Sequence, residues 1–197
     1  MYLLTGLHKN KMHPKIPFWE NKINHVTSEC KSAFGKLNFE ELNWKPSPKV
    51  WSIGQILHHL ITINKTYFPI IEQLKSGTYK KPVMARFPFM VNFFGNFILK
   101  SVDPDQKRKT KTFPIWEPAQ SDIPADILVH FDQHQKELVE LIKSCDVLLQ
   151  KNSIISSPAN PNIIYTLEKA FDIITTHEQR HFNQAKEMNA LRLNTVK

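Results

Sequence analysis

Glycine is scarce in this chain, five in 197 residues, and none of the five belongs to a G-x-G-x-x-G, Walker-type or G-x-S-x-G string. Those motifs need glycine so that backbone can close on a phosphate or turn sharply under a nucleophile. Nucleotide binding and α/β-hydrolase chemistry therefore lose their usual sequence support. Cysteine is scarcer still: Cys30 and Cys145 stand alone with no C-x-x-C spacing. That excludes a disulfide framework and a thiolate metal cluster, and it points to a reducing cytoplasm. No long hydrophobic run is present either. The most apolar stretch, 83–99, is interrupted by Arg86, Pro88, Asn92, Gly95 and Asn96, whereas a spanning helix needs ~20 nearly uninterrupted apolar residues. No membrane association is expected. The run Met1, Tyr2, Leu3, Leu4 to Leu7 is too short and lacks a basic segment before it, so no secretory signal is expected.

What is present fits a soluble globular chain. A hydrophobic content of 41% over 197 residues can bury a core without staples, and one domain spanning 1–197 is the expectation. The net charge is +8, with a dense basic run at Lys107, Arg108, Lys109 and Lys111. Such a run can meet phosphates, but no aromatic residue interleaves it and no nucleic-acid-binding module accompanies it. It reads as a solvated loop, and a nucleic-acid partner is not expected.

Hydrophobic spacing predicts an all-α fold. Trp19, Ile23, Val26, Cys30, Ala33 and Leu37 form one stripe of a first helix over about 17–37, with Pro17 tolerated in its first turn. The segment 43–51 carries Pro46 and Pro48 and forbids helix. Ser52 followed by Gln55 then supplies a capping box for a second helix over 52–76. Residues 77–121 hold five prolines, Pro82, Pro88, Pro104, Pro114 and Pro118, and read as a long crossover with one short helix near Met90 to Lys100. Ile127, Phe131, His134, Leu138, Leu141, Cys145 and Leu148 advance in steps of four and three along a third helix, 124–150. Turn residues fill 156–162, and a fourth helix runs over 163–191. No strand-like alternation is evident. Four amphipathic helices with one long connection, between the second and third, describe a four-helix bundle, in which sites are built from side chains on facing helices.

The histidines are then placed on faces. Along the fourth helix Leu167, Ala170, Ile174, His177, His181, Gln184, Met188 and Leu191 recur at steps of three and four, so His177 and His181 share the buried seam one turn apart. Two ligands of one ion require that geometry. On the second helix His58 and His59 are adjacent and point about 100° apart. His59 shares its face with Ile56 and Ile63, whereas His58 sits with Gln55, Thr62 and Lys65; His59 is expected inward and His58 outward. The string His177, Glu178, Gln179, Arg180, His181 also matches H-E-x-x-H, in which the carboxylate is a general base beside zinc. The zincin reading is disfavoured, because the 16 residues after His181 hold no histidine.

Residues 51–60, Trp-Ser-Ile-Gly-Gln-Ile-Leu-His-His-Leu, followed by His177-Glu178-Gln179-Arg180-His181-Phe182-Asn183-Gln184, resemble the DinB/YfiT-like superfamily of metalloenzymes. The resemblance implies a four-helix bundle with a crossover and, matched residue by residue, the metal ligands His59, His177 and His181. It further implies nickel or zinc and a small-molecule substrate, with hydrolysis or transfer of a low-molecular-weight thiol as the reaction. The crossover 77–121 matches nothing in the family pattern.

Blander readings stand beside these. A single buried histidine is more often satisfied by hydrogen bonds than by a metal, but three converging imidazoles favour a shared cation. His134, with His130 one turn before it, reads as a fourth ligand, a rival site, a hydrogen-bond partner of a ligand or a core histidine. Gln184 reads as a hydrogen-bond partner of His181. Glu178 reads as the catalytic base of a metal-activated water, or as a solvated residue paired with Arg180 or Lys186. Trp44 and Trp51 read as packing for one end of the bundle. The aromatic crossover reads as core or as the surface of a homodimer. The enzyme reading competes with a non-catalytic metal-binding or stress-related bundle and, behind it, with a basic nucleic-acid-binding protein.

Overall fold

A computed structural model describes residues 12–106, 112–118 and 122–195; the basic run at 107–111 and the 1–7 segment lie outside the described residues. The described residues are mostly helical, with one small two-stranded sheet among them. Helix α1, Ile16–Phe34, carries Pro17 in its first turn and buries Trp19, Ile23, Val26 and Cys30. These are four of the six residues of the stripe that the sequence spacing predicts; Ala33 is half-buried and Leu37 lies beyond the helix end. A short helix α2, Phe39–Asn43, comes next, started by a capping box in which the Asn38 side chain accepts from the Glu41 N–H and Glu41 accepts from Asn38.

Helix α3, Ile53–Lys65, begins at the predicted capping box: the Ser52 hydroxyl accepts from the Gln55 N–H at 3.2 Å, and the Gln55 side chain accepts from the Ser52 N–H at 3.1 Å. The predicted second helix is in fact two. It ends at Thr66, and α4, Phe68–Ser76, restarts with Pro69 in its first turn. Proline lacks the N–H that would continue the ladder and clashes with the preceding turn, so it is accommodated only at a helix start. Gly77 closes α4 with φ of 72°, a left-handed conformation that only glycine adopts without penalty.

Within the crossover the helix expected near 90–100 is longer than predicted: α5, Pro88–Ser101, packs on the segments that contain Tyr165 and Lys169. Its approach is close at Gly95, where a Cβ would fall 2.8 Å from the Lys169 side chain and 3.2 Å from that of Tyr165. A single helical turn at Pro114–Trp116 interrupts the later part of the crossover. The predicted third helix also divides, into α6, Ile127–Lys143, and α7, Asp146–Gln150.

The clearest departure lies before the last helix. Ile154–Ser157 and Asn160–Thr166 form an antiparallel pair, β1 and β2, and α8 begins at Leu167 and runs to Thr195. The turn chemistry expected at 156–162 is there, but it reverses a hairpin and does not join two helices. Ile155, Ile164 and Tyr165 are the buried residues that hold this hairpin down.

Helix α1 packs on α6 and α8, and α3 packs on the same two helices. Two apolar clusters fill the space between them. One gathers Trp19, Ile23, Leu138, Phe171 and Tyr165 under the hairpin; the other gathers Phe34, Leu42, Ile56, Phe131 and Phe182. Each such fully buried side chain contributes about 1.5–3 kcal/mol. Polar groups at the rim fix the register of α1 against α8: Asp172 accepts from the Trp19 indole N–H and from Lys15, each at 2.9 Å. Between the two clusters, on the facing sides of α3 and α8, the core turns polar.

Candidate metal centre

Three imidazoles meet between α3 and α8. His59, His177 and His181 each present one ring nitrogen such that all three nitrogens lie within 4.8 Å of one another. The ring centroids of His59 stand 5.3 Å from His177 and 4.8 Å from His181, and those of His177 and His181 are 4.3 Å apart. The i,i+4 spacing on α8 brings Nε2 of His177 to 2.9 Å from Nε2 of His181. Two nitrogens bound to one ion at ~2.0–2.1 Å stand roughly 3–3.5 Å apart, so this pair already has close to the required separation. His59 and His181 are buried, at 1% and 8% exposure, while His177 keeps part of its surface accessible.

The outer nitrogens decide which lone pairs face inward. His59 Nδ1 lies 2.6 Å from the main-chain carbonyl of Trp116, and His181 Nδ1 lies 2.8 Å from Oε1 of Gln184. Both partners only accept, so each Nδ1 carries the proton and each Nε2 is left as an unprotonated donor of electrons. Burial pushes the His59 pKa down to about 4, opposed by the Trp116 hydrogen bond and reinforced by His58. Burial likewise pushes His181 down to about 3, with His59 adding to it, and holds His177 well below the ordinary value with help from His181 and His59. The trio is neutral at physiological pH. Neutral imidazoles at His59 and His181 turn unprotonated Nε2 atoms inward, the His177 ring nitrogen lies beside them, and this donor set fits a divalent ion.

Trp51 closes one side. Its ring stands 4.8 Å from that of His59 and lies nearly parallel to that of His181 at 6.0 Å, tilted by 21°. The tryptophan expected to pack one end of the bundle therefore walls the imidazole cluster. The carbonyl of Trp116 was not legible in the sequence, since any residue type offers one. What fixes it is the Pro114–Trp116 turn together with the Trp116 indole, which donates to Thr66 Oγ1 at 3.3 Å.

Glu178 is fully buried, and the reading of it as a solvated partner of Arg180 or Lys186 is corrected. Its two carboxylate oxygens accept from Asn64 on α3 at 2.8 Å and from Gln135 on α6 at 2.9 Å. Burial raises its pKa to about 7, against the lowering effect of those two amides. It lies outside the trio of nitrogens that gather within 4.8 Å. His58 is half-buried and turned away from that trio, as its position on the helix predicts. His134 is buried on α6, where its ring stacks on Phe68 at 5.8 Å. His130 is exposed, 3.6 Å from the Asp126 carboxylate. Neither belongs to the trio, so among the described residues His59, His177 and His181 are the set that converges.

The sequence model of the DinB superfamily matches residues 24–185. The chain belongs to the DinB superfamily. That match runs from the middle of α1 into α8 and includes all three histidines. No curated protein and no solved structure matches the chain. The matched region contains the three converging imidazoles, and the reaction has to be argued from the site itself. No described helix is long and apolar enough to cross a membrane.

Proposed function

We propose that this DinB-superfamily protein is a metal-dependent enzyme that uses His59, His177 and His181 to hold one divalent ion, nickel or zinc, and acts on a small molecule by hydrolysis or thiol transfer. The observation that carries the reading is the orientation of the imidazoles: two of the three have their outer nitrogens anchored, on Trp116 and Gln184, so that their Nε2 atoms converge. Imidazole suits both zinc and nickel. Three protein ligands leave a coordination position open, as in catalytic rather than structural sites. An ion held there supplies Lewis-acid activation of a water or of a low-molecular-weight thiol.

The chain's own residues bear on the choice between water and thiol. Burial raises the Cys30 thiol to about 12 and the Cys145 thiol to about 11, so neither provides a thiolate near neutral pH. Any thiol in the reaction comes from outside the chain. Two free, buried cysteines also suit a reducing cytoplasm. In this reading α1, α3, α6 and α8 are the four-helix bundle, and Trp51 shields one flank of the site from water. The exposed aromatics of α5, among them Phe89 and Phe93, suit the homodimer surface expected from the sequence.

Glu178 enters as the base, one residue from His177, and its amide cradle gives it a competing structural role. Glu178→Gln separates the two: as the base it lowers kcat steeply with metal content unchanged, and as a purely structural residue it leaves kcat untouched. The function itself is tested by loading the protein with zinc or nickel and screening ester and amide panels beside electrophile panels with small thiols. Turnover that disappears in His181→Ala supports the reading. A protein that binds the ion stoichiometrically and turns over nothing is the non-catalytic bundle.

A further inference from the structure

Helix α5 is apolar on two faces, and one of them is covered. Val91 and Gly95 are buried toward the hairpin and α8, with Phe94 and Ile98 partly buried beside them. The opposite face carries Phe89, Phe93 and Phe97, which recur every four residues and stay 67%, 62% and 61% exposed. Phe93 and Phe97 stack on each other at 6.3 Å, tilted by 13°. Phe87, just ahead of the helix, adds another exposed ring, 6.2 Å from that of Phe89. Single surface phenylalanines are ordinary, but a contiguous row of them marks a surface that something covers.

The charges around this row decide what that is. Lys80, Lys81, Arg86 and Lys100 are exposed, and the sequence holds no aspartate or glutamate between Glu72 and Asp103. Among the described residues, Lys75 is the one cation of this stretch that forms an ion pair, with Glu72 at its edge. Lys100 lies on the aromatic face itself, three residues after Phe97 and seven after Phe93. The rings alone suit a second copy of the chain, but pairing two such faces sets the cations of one against those of the other. Duplex nucleic acid meets the cations and leaves the rings in water. A bilayer surface with anionic headgroups meets both, because an interfacial helix sinks its apolar face ~5–10 Å into the acyl boundary while its cations stay among the phosphates. The lack of a long apolar run excludes a spanning helix, and lying in the interface requires none.

We propose that α5 is an interfacial docking helix that lays Phe89, Phe93 and Phe97 into an anionic lipid surface, with Lys80, Lys81, Arg86 and Lys100 on the headgroup phosphates. Its 14 residues give a contact line about 21 Å long. The cytoplasmic setting proposed above supplies such a surface, because anionic lipids face that side of the membrane. The metal ligands belong to α3 and α8 and none to α5, so the proposal stands apart from the metal reading.

The test is co-sedimentation of the full chain, as purified, with vesicles of phosphatidylcholine and phosphatidylglycerol in equal amounts, beside vesicles of phosphatidylcholine alone. The expected result is saturable binding to the mixed vesicles that falls as salt rises, and binding to the neutral ones that is weaker by roughly tenfold or more. Phe93→Ser and Phe97→Ser, both at exposed positions, should each weaken binding roughly tenfold, as a buried ring is lost. Lys100→Gln should weaken it about fivefold, the share of one cation near the surface. Phe93→Trp adds a reporter, whose emission should move to the blue when mixed vesicles are added, beyond any change in the unsubstituted chain. His181→Ala should bind vesicles as the parent does, which keeps this outcome separate from that of the metal centre. The proposal is overturned if neutral and mixed vesicles bind alike, or if Phe93→Ser binds as tightly as the parent. It is equally overturned if duplex DNA binds and vesicles do not, or if the chain ignores vesicles and forms a homodimer that Phe93→Ser dissociates.

Discussion

The two flanks of α3 carry neighbouring histidines with opposite surroundings. On one flank His59 has its outer nitrogen fixed by the Trp116 carbonyl and its inner nitrogen among those of His177 and His181. On the other, His58 faces a groove floored by His134, whose nitrogens have no partner among the described residues, between a lysine and a glutamate that do not pair. Imidazole content alone does not distinguish the two. Converging ring nitrogens with anchored outer nitrogens suit an ion, whereas the lone neutral ring of His134 has no such convergence.

The largest effect that sharpens the contrast is loss of a ligand. His59→Ala, His177→Ala and His181→Ala should each weaken zinc or nickel binding by more than the ~10–100-fold typical of losing an outer hydrogen-bond partner, while His58→Ala and His134→Phe leave it unchanged. Competition against a chromophoric chelator measures this, and equal affinities across the five variants would break the comparison. Next in size is Gln184→Leu, which frees the His181 ring and should cost metal affinity within that ~10–100-fold range in the same assay.

Acid stability of the chelator-treated, metal-free protein ranks third. His59 and His134 have folded pKa values near 4 and His181 near 3, below the unfolded value of 6.5. Between these limits the unfolded chain binds more protons, so stability is full above pH ~6.5 and falls as pH drops toward ~4, by about 1.4 kcal/mol per pH unit for each histidine in that window. Denaturant midpoints across that range give the slope. His134→Phe should reduce it by one histidine's share, and an unchanged slope would place His134 in contact with water. The smallest effect has the opposite sign. Glu178 is raised from 4.5 to about 7, so the folded state binds the extra proton. That contribution is complete below pH ~4.5 and is lost as pH rises through ~7. Its window overlaps that of the histidines, so Glu178→Gln should steepen the net rise in stability between pH ~4.5 and ~6.5.

The parts of this arrangement that depend on residue type and helical period were legible in sequence. The capping box at Ser52 and Gln55 set the start of α3, and with it the inward direction of His59. Steps of three and four placed His177 and His181 on one seam. Features that depend on tertiary packing were not. Ile154, Ile155, Ile163 and Ile164 come in adjacent pairs, so the hairpin lacks the alternation that marks a half-buried strand. Pro69 carried the break between α3 and α4, but the apolar pattern continues across it. The cradle of Glu178 comes from two different helices, through Asn64 and Gln135, which no local spacing reveals. His134 followed the core period of α6 correctly, and its lack of a partner appears only when α3 is seen beside it.

One measurement addresses the centre directly. Crystals of the zinc- or nickel-loaded protein should give an anomalous peak at the metal's absorption edge at ~2.0–2.1 Å from a ring nitrogen of each of His59, His177 and His181, with His58 and His134 remote from it. A peak among His58, His130 and His134, or no peak between α3 and α8, would contradict the account.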